Sequence, residues 1–343
     1  MKELLSLIGY EYKKIGKRRF VWAALATVLA GALVWGLPRG DAEIEERGVA
    51  SQCYMLLEGM LGKVDYQGMD DADFYHAHAQ MLEGLYQSEK LSSGEIACHR
   101  QELSQVEKPF FRGGILGFEK YFSMQGALGL AIAFVVAICL APIFSNEYAS
   151  HMDALILTSR YGKNKAILAK LLTGFTLAVG ITVLCLGAVL LELSASYGFH
   201  GWDLPVQACR TGFPSSIPIH MLQMLGISVG CAVSASCMVA AVVMFCSAKI
   251  KSSFRVIIVS MIFILLPELL IYTVYEKRPW FMFMNSMPAS MMYPGGLISC
   301  RLFSIGGHYL YFFQAVPVAY LFFMVVFGVW GHYCFRNHQV SSS

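Results

Sequence analysis

The chain has 343 residues, 56% of them apolar and only 14% charged, with a mean hydropathy of +0.55. That balance excludes an ordinary pair of soluble domains and points to a membrane protein, in which the placement of charge matters more than its sum of +3. The ten cysteines form no C-x-x-C pair, which argues against a zinc knuckle, a thioredoxin-like motif or a dense disulfide scaffold.

Residues 1–19, MKELLSLIGYEYKKIGKRR, put Leu4, Ile8, Tyr12 and Ile15 on one helical face and gather Lys13, Lys14, Lys17, Arg18 and Arg19 at the C-terminal end. This predicts an amphipathic, basic helix lying in a headgroup layer. The apolar run 20–37 is longer than the hydrophobic part of a secretory signal, and no small-x-small site follows it, so it is expected to be an uncleaved first span.

Residues 38–122 change character. Between Pro38 and Tyr121 there are 15 acidic residues against 8 Lys and Arg, and no run is long enough to span. Phe74, His78, Met81, Leu82 and Leu85 make one helical face, and Ser92-Ser93-Gly94-Glu95 reads as a capping box opening a helix that Pro109 stops. The segment is expected to be a small water-facing helical domain. His76 and His78 stand two apart and would face different sides of a helix, so packing of His78 is favoured over a metal site. Whether Cys53 and Cys98 pair is left open by the sequence.

Five further apolar runs follow, at 124–144, 166–193, 219–247, 254–275 and 309–335, each long enough to cross a hydrocarbon core about 30 Å thick. Six spans put both termini on one side. With the N-terminus inside, the inner segments 1–19, 145–170, 248–255 and 336–343 hold 14 Lys and Arg against Glu3, Glu11, Glu147 and Asp153, which predicts cytoplasmic termini. The interval 194–218 is expected as an interfacial outer loop carrying Trp202, and Cys231, Cys237 and Cys246 as small core residues. The interval 276–308, broken by Pro279, Pro288, Pro294 and Gly295-Gly296, is expected as a re-entrant or surface-lying hairpin on the outer side. The tail is 336–343. The fold class is therefore an all-α polytopic membrane protein of six transmembrane helices with a helical extracytoplasmic domain between the first two.

No G-x-x-x-x-G-K-[ST] loop is present, and H-E-x-x-H and G-x-S-x-G are absent as well. The chain is thus expected to bind no cofactor or metal and to have no catalytic residues of its own. Glu268, next to Pro267 inside an apolar run, is a candidate intramembrane polar site; a protonated side chain bonded to a neighbouring helix is the competing reading. Glu192, near a span end, is expected to snorkel to the outer interface. Gly226, Gly230 and Ser234 form a row of small residues suited either to packing within the chain or to a dimer seam.

The segment 145–165 is short, polar and basic, and is expected as a cytoplasmic loop. Ser145 is expected to cap a short helix opened by Glu147, whose charge would suit the helix N-terminus. Leu155, Ile156 and Leu157 supply an apolar patch, and Arg160-Tyr161-Gly162-Lys163 a turn. In this stretch the sequence resembles the permease subunits of ABC-2 type ATP-binding-cassette transporters. Their loop after the second span has the form E-Y-x-x-G-T-x-x-x-I-L-x-S-x-Y-G-x-x-K. Glu147-Tyr148, Asp153-Ala154-Leu155-Ile156-Leu157, Ser159-Arg160-Tyr161-Gly162-Lys163 and Lys170 fit it in register, while His151 and Met152 replace the usual Gly-Thr. The N-terminal elbow helix, the outer hairpin and a branch with a large domain after the first span fit the same pattern.

The resemblance implies that the loop is a coupling helix, with Glu147, Tyr148, Asp153, Arg160, Tyr161, Gly162 and Lys163 as its coupling residues. It implies a separate ABC ATPase subunit that carries ATP and magnesium, a second identical or paired permease subunit, and export of a peptide, lipid or drug-like substrate across a bacterial plasma membrane. No nucleic-acid partner is implied. Two rival expectations stand beside it. One is an intramembrane enzyme using Glu268 with a histidine such as His308; the other is a sensor or scaffold binding a ligand through its outer domain.

Overall fold

The computed structural model describes residues 2–37, 42–62, 71–107, 115–150, 152 and 162–336. Among them, six helical stretches are long and apolar enough to cross a membrane: Arg19–Gly36, Leu116–Ala149, Asn164–Tyr197, Met221–Lys249, Ser253–Leu270 and Phe312–Phe335. The protein is accordingly a helical, membrane-embedded one. In chain order the helices are α1 (Lys2–Gly16), α2 (Arg19–Gly36), α3 (Ala42–Leu61), α4 (Asp71–Ser88), α5 (Ser93–Leu103), α6 (Leu116–Leu140), α7 (Pro142–Ala149), α8 (Ile167–Tyr197), α9 (Met221–Lys249), α10 (Ser253–Leu270), α11 (Arg278–Asn285), α12 (Pro294–Leu297) and α13 (Phe312–Arg336).

Helices α6 and α9 occupy the middle of the bundle and are buried along most of their length, whereas α2, α10 and α13 lie around them. The inner position of α9 follows from its small residues: Ser228, Ala232, Ala235, Ser236, Ala240 and Ala241 are all buried and let neighbouring backbones come close. Peripheral α13 instead turns Val318, Leu321, Phe322, Val325 and Val329 outward, an apolar surface fit for acyl chains.

Two span starts differ from the sequence reading by three residues or more, and the fifth span ends at Leu270 rather than at 275. The second span starts at Leu116, inside the stretch assigned to the soluble domain, because Phe118, Tyr121 and Phe122 are buried against the bundle. The last starts at Phe312, because residues before it form a two-stranded hairpin, β1 (Phe303–Ile305) with β2 (His308–Leu310). Gly306 and Gly307 both take positive φ at its two-residue turn, +59° and +85°, the conformation a right-twisted hairpin requires.

Helices α3, α4 and α5 share a separate core of Cys53, Leu57, Phe74, Met81, Leu82, Tyr86 and Leu103. The capping box is present: the Ser92 hydroxyl accepts from the Glu95 amide and the Glu95 carboxylate from the Ser92 amide, and the helix ends at Leu103, short of Pro109. Cys53 and Cys98 are both free thiols. The interval 194–218 is no surface loop. Trp202 is exposed, but Val206, Ala208, Cys209 and Phe213 are fully buried, and Phe213 completes the domain core. The His78 ring packs 4.7 Å from the Phe213 ring and its Nε2 lies 2.7 Å from the Phe213 carbonyl.

The interval 276–308 is tucked into the bundle. Met291, Met292, Leu297, Ile298 and Leu302 are buried, and glycines on α6 make the room: a Cβ on Gly129 would lie 2.4 Å from the Met292 Cβ, and one on Gly126 would lie 2.9 Å from the Tyr293 ring. Two ion pairs fasten the separate core to this hairpin. Arg301 binds Glu89 and Arg278 binds Glu95, which also accepts from the Leu302 amide.

Candidate functional site

At the end of the bundle away from α3–α5, the second span breaks. Pro142 cannot donate to the α6 ladder, so the helix stops at Leu140 and restarts as α7, with Pro142 in its first turn. The freed amides are taken up from another helix. Ser247 Oγ, near the end of α9, accepts from the Phe144 and Ser145 amides at 3.0 Å each and donates to the Ala141 carbonyl at 2.6 Å. Ser145 is therefore not the N-cap expected for it. It lies inside α7 and its hydroxyl donates back to Ala141 at 2.8 Å.

This shift of register moves Glu147 from a helix start to the last turn of α7 (Pro142–Ala149), where the helix dipole disfavours a negative charge. Two neighbouring elements offset that. Lys170, from the second turn of α8 and 1% exposed, donates to Glu147 Oε1 at 2.5 Å, to Glu11 Oε1 of α1 at 2.8 Å and to the Ile143 carbonyl at 3.1 Å. All three ammonium hydrogens are thus used. Lys14 of α1 adds a second cation 3.1 Å from Glu147 Oε1. The result is a largely buried chain of alternating charge, Glu11–Lys170–Glu147–Lys14, that knots α1, α7 and α8 together.

A buried ion pair of this kind gains little net stability, because desolvation of each charge offsets most of the attraction. It does hold geometry, since removing any one partner leaves an uncompensated charge. Weaker contacts extend the same register: Tyr12 donates to Thr176 at 2.6 Å, and exposed Lys165 meets Glu3 at 2.5 Å. Helix α1 is thus packed along α8 rather than only resting in a headgroup layer. Tyr148 donates to the Ala248 carbonyl at 2.8 Å, and its ring and that of Phe144 lie 5.6 and 5.0 Å from Phe335 of α13.

The expected coupling residues fall into three groups. Glu147 and Tyr148 are buried in this knot. Asp153, Arg160 and Tyr161, together with His151, lie outside the described residues. Gly162 and Lys163 belong to a π-helical turn, Gly162–Ala166, that leads into α8. Glu11, Lys14 and Ser247 were missed by sequence reasoning. Glu11 sits beside the apolar positions of α1, and a carboxylate four residues before Ile15 on a helix otherwise basic at that end was the available signal.

Elsewhere, Glu268 Oε1 accepts a hydrogen bond from Ser290 at 2.6 Å and borders a cavity. His308, its suggested catalytic companion, is exposed on β2 and does not line that cavity. Gly226 and Gly230 are exposed, with no atom of the described residues within 4 Å of a Cβ built on them, and the half-buried Ser234 bonds its hydroxyl back to Cys231. Glu192 lies against Gly36 at the end of α2 and accepts from Ser196. No group of three or more metal-ligating side chains occurs among the described residues. No protein-family model matches the sequence, and no curated protein matches it significantly.

Proposed function

We propose that the chain is the transmembrane permease subunit of an ABC-2 type transporter, working with a separate ATPase in a bacterial plasma membrane. The observation that carries this reading is the largely buried Glu11–Lys170–Glu147–Lys14 chain at the root of the segment 153–161. A loop that receives force from a partner must transmit it to several helices together, and this knot links that segment to α1, α7 and α8. Glu147 and Tyr148, being buried, serve as positioning residues; the loop beyond them supplies the contact with the ATPase.

On this reading the end with α3–α5 is extracytoplasmic, both termini are cytoplasmic, and α1 is the elbow helix. The Gly226–Gly230–Ser234 row fits a second permease subunit. The chain hydrolyses nothing itself, and ATP and magnesium belong to the partner. The test is ATP-dependent transport in membranes. Tyr161→Ala is expected to abolish it, and Glu147→Gln to reduce it, while both chains insert at wild-type levels. Unchanged transport in both would refute the loop assignment.

A further inference from the structure

A cavity of about 640 Å³ opens between the ends of α6 and α10, the tucked hairpin and the segment after α4. That volume suits a drug-sized ligand. Its walls are largely apolar, with Leu85, Leu130, Ile271 and Ile298 among them, and Tyr272 and Tyr293 add aromatic surface. The Tyr293 ring is held by close packing over Gly126 and Gly295, where any Cβ would fall within 3 Å of it.

Charge in this space is one-sided. Among the described residues no Lys, Arg or His lines it, and the acidic ones that do are Glu89 and Glu268. Glu89 is answered by Arg301 Nε at 2.7 Å and by the Tyr275 hydroxyl. Among the described residues Glu268 meets the Ser290 hydroxyl, its Oε2 takes no hydrogen bond and no basic side chain pairs with it. A carboxylate in the last turn of a membrane-spanning helix is costly without a counter-charge. Here the cavity, not the protein, offers the room for one.

We propose that this cavity binds an apolar monocation, an ammonium or phosphonium centre on a hydrophobic body, with the Glu268 carboxylate as counter-ion. Tyr293 and Tyr272 supply ring faces that attract such a centre, and the aliphatic walls take its apolar groups. The inference deepens the transporter reading by naming a substrate class, but binding itself needs no ATPase, so the two fail separately.

The test is equilibrium binding of tetraphenylphosphonium to the full chain in lipid nanodiscs, with empty nanodiscs subtracted, against its anionic isostere tetraphenylborate. The wild type is expected to bind the phosphonium saturably and not the borate. Glu268→Gln should weaken phosphonium binding by at least about tenfold, the loss of one charge-assisted contact, and Glu268→Asp should retain most of it. Exposed Ala127 also lines the cavity, so Ala127→Trp should block binding with Glu268 intact. Equal binding of the two isosteres, or wild-type affinity in folded Glu268→Gln, overturns the proposal. Should Glu268→Gln not fold, undiminished binding in Ala127→Trp overturns it equally.

Discussion

Lys170 shows what a single buried charge does here. Replacing it by Met strands the Glu11 carboxylate and leaves Glu147 with the partly exposed Lys14 alone, at a cost of about 3–5 kcal/mol. Replacing all three, Lys170→Met with Glu11→Leu and Glu147→Leu, should recover most of that loss, because an apolar trio needs no counter-charge. Thermal unfolding of the purified chain checks this, and a triple variant less stable than Lys170→Met would contradict it. His78 gives a second residue-scale prediction. Burial holds its imidazole down at about 4, against an ordinary value near 6.5. The unfolded chain therefore takes up the proton first, and stability that is complete above pH 6.5 falls as the pH drops towards 4, by up to about 3 kcal/mol. His78→Gln should flatten that dependence in melting curves of the α3–α5 core measured by local probes. Lys170 was legible in the sequence only through its register with Glu147. Its bond to Glu11 spans 159 positions, and no local pattern announces it.

At the scale of the element, local signals served well and long-range ones did not. The capping box at Ser92 and the apolar face through Phe74, His78, Met81 and Leu82 could be read because their partners lie within one or two turns. The break between α6 and α7 could not, since Ser247 caps it from 100 residues away in the chain. Ser145 looked like an N-cap for lack of that knowledge. Ser247→Ala removes the acceptor for two amides and should cost about 1–3 kcal/mol locally. Hydrogen exchange at Phe144 and Ser145 should quicken while α9 stays protected; unchanged protection would mean that the cap is dispensable. The tucked hairpin was half-visible, in its prolines and glycines. Its socket, Gly126 and Gly129 on α6, passed for ordinary small residues in a span because a socket shows only once the Met292 and Tyr293 side chains fill it.

For the whole molecule, composition and run length were enough to find the six spans, because the bilayer demands about 20 apolar residues per crossing. How the ends are used depends on contacts composition does not encode. One end carries a second core locked to the hairpin by Glu89–Arg301 and Glu95–Arg278 and bordering a cavity. The other carries the charged knot of Glu11, Lys170 and Glu147. If the exposed Gly226–Gly230 pair meets a second subunit, as proposed, Gly226→Leu with Gly230→Leu should lower the dimer fraction seen by crosslinking in membranes without disturbing the monomer; an unchanged fraction would remove that pair from the interface. The most direct test of the account as a whole is ATP hydrolysis in material co-purified with the tagged chain, wild type against a form in which residues 153–161 are replaced by a Gly-Ser linker of equal length. Hydrolysis that accompanies the wild type and is lost with the linker is the predicted result. No hydrolysis with the wild type, or equal hydrolysis with both, would contradict it.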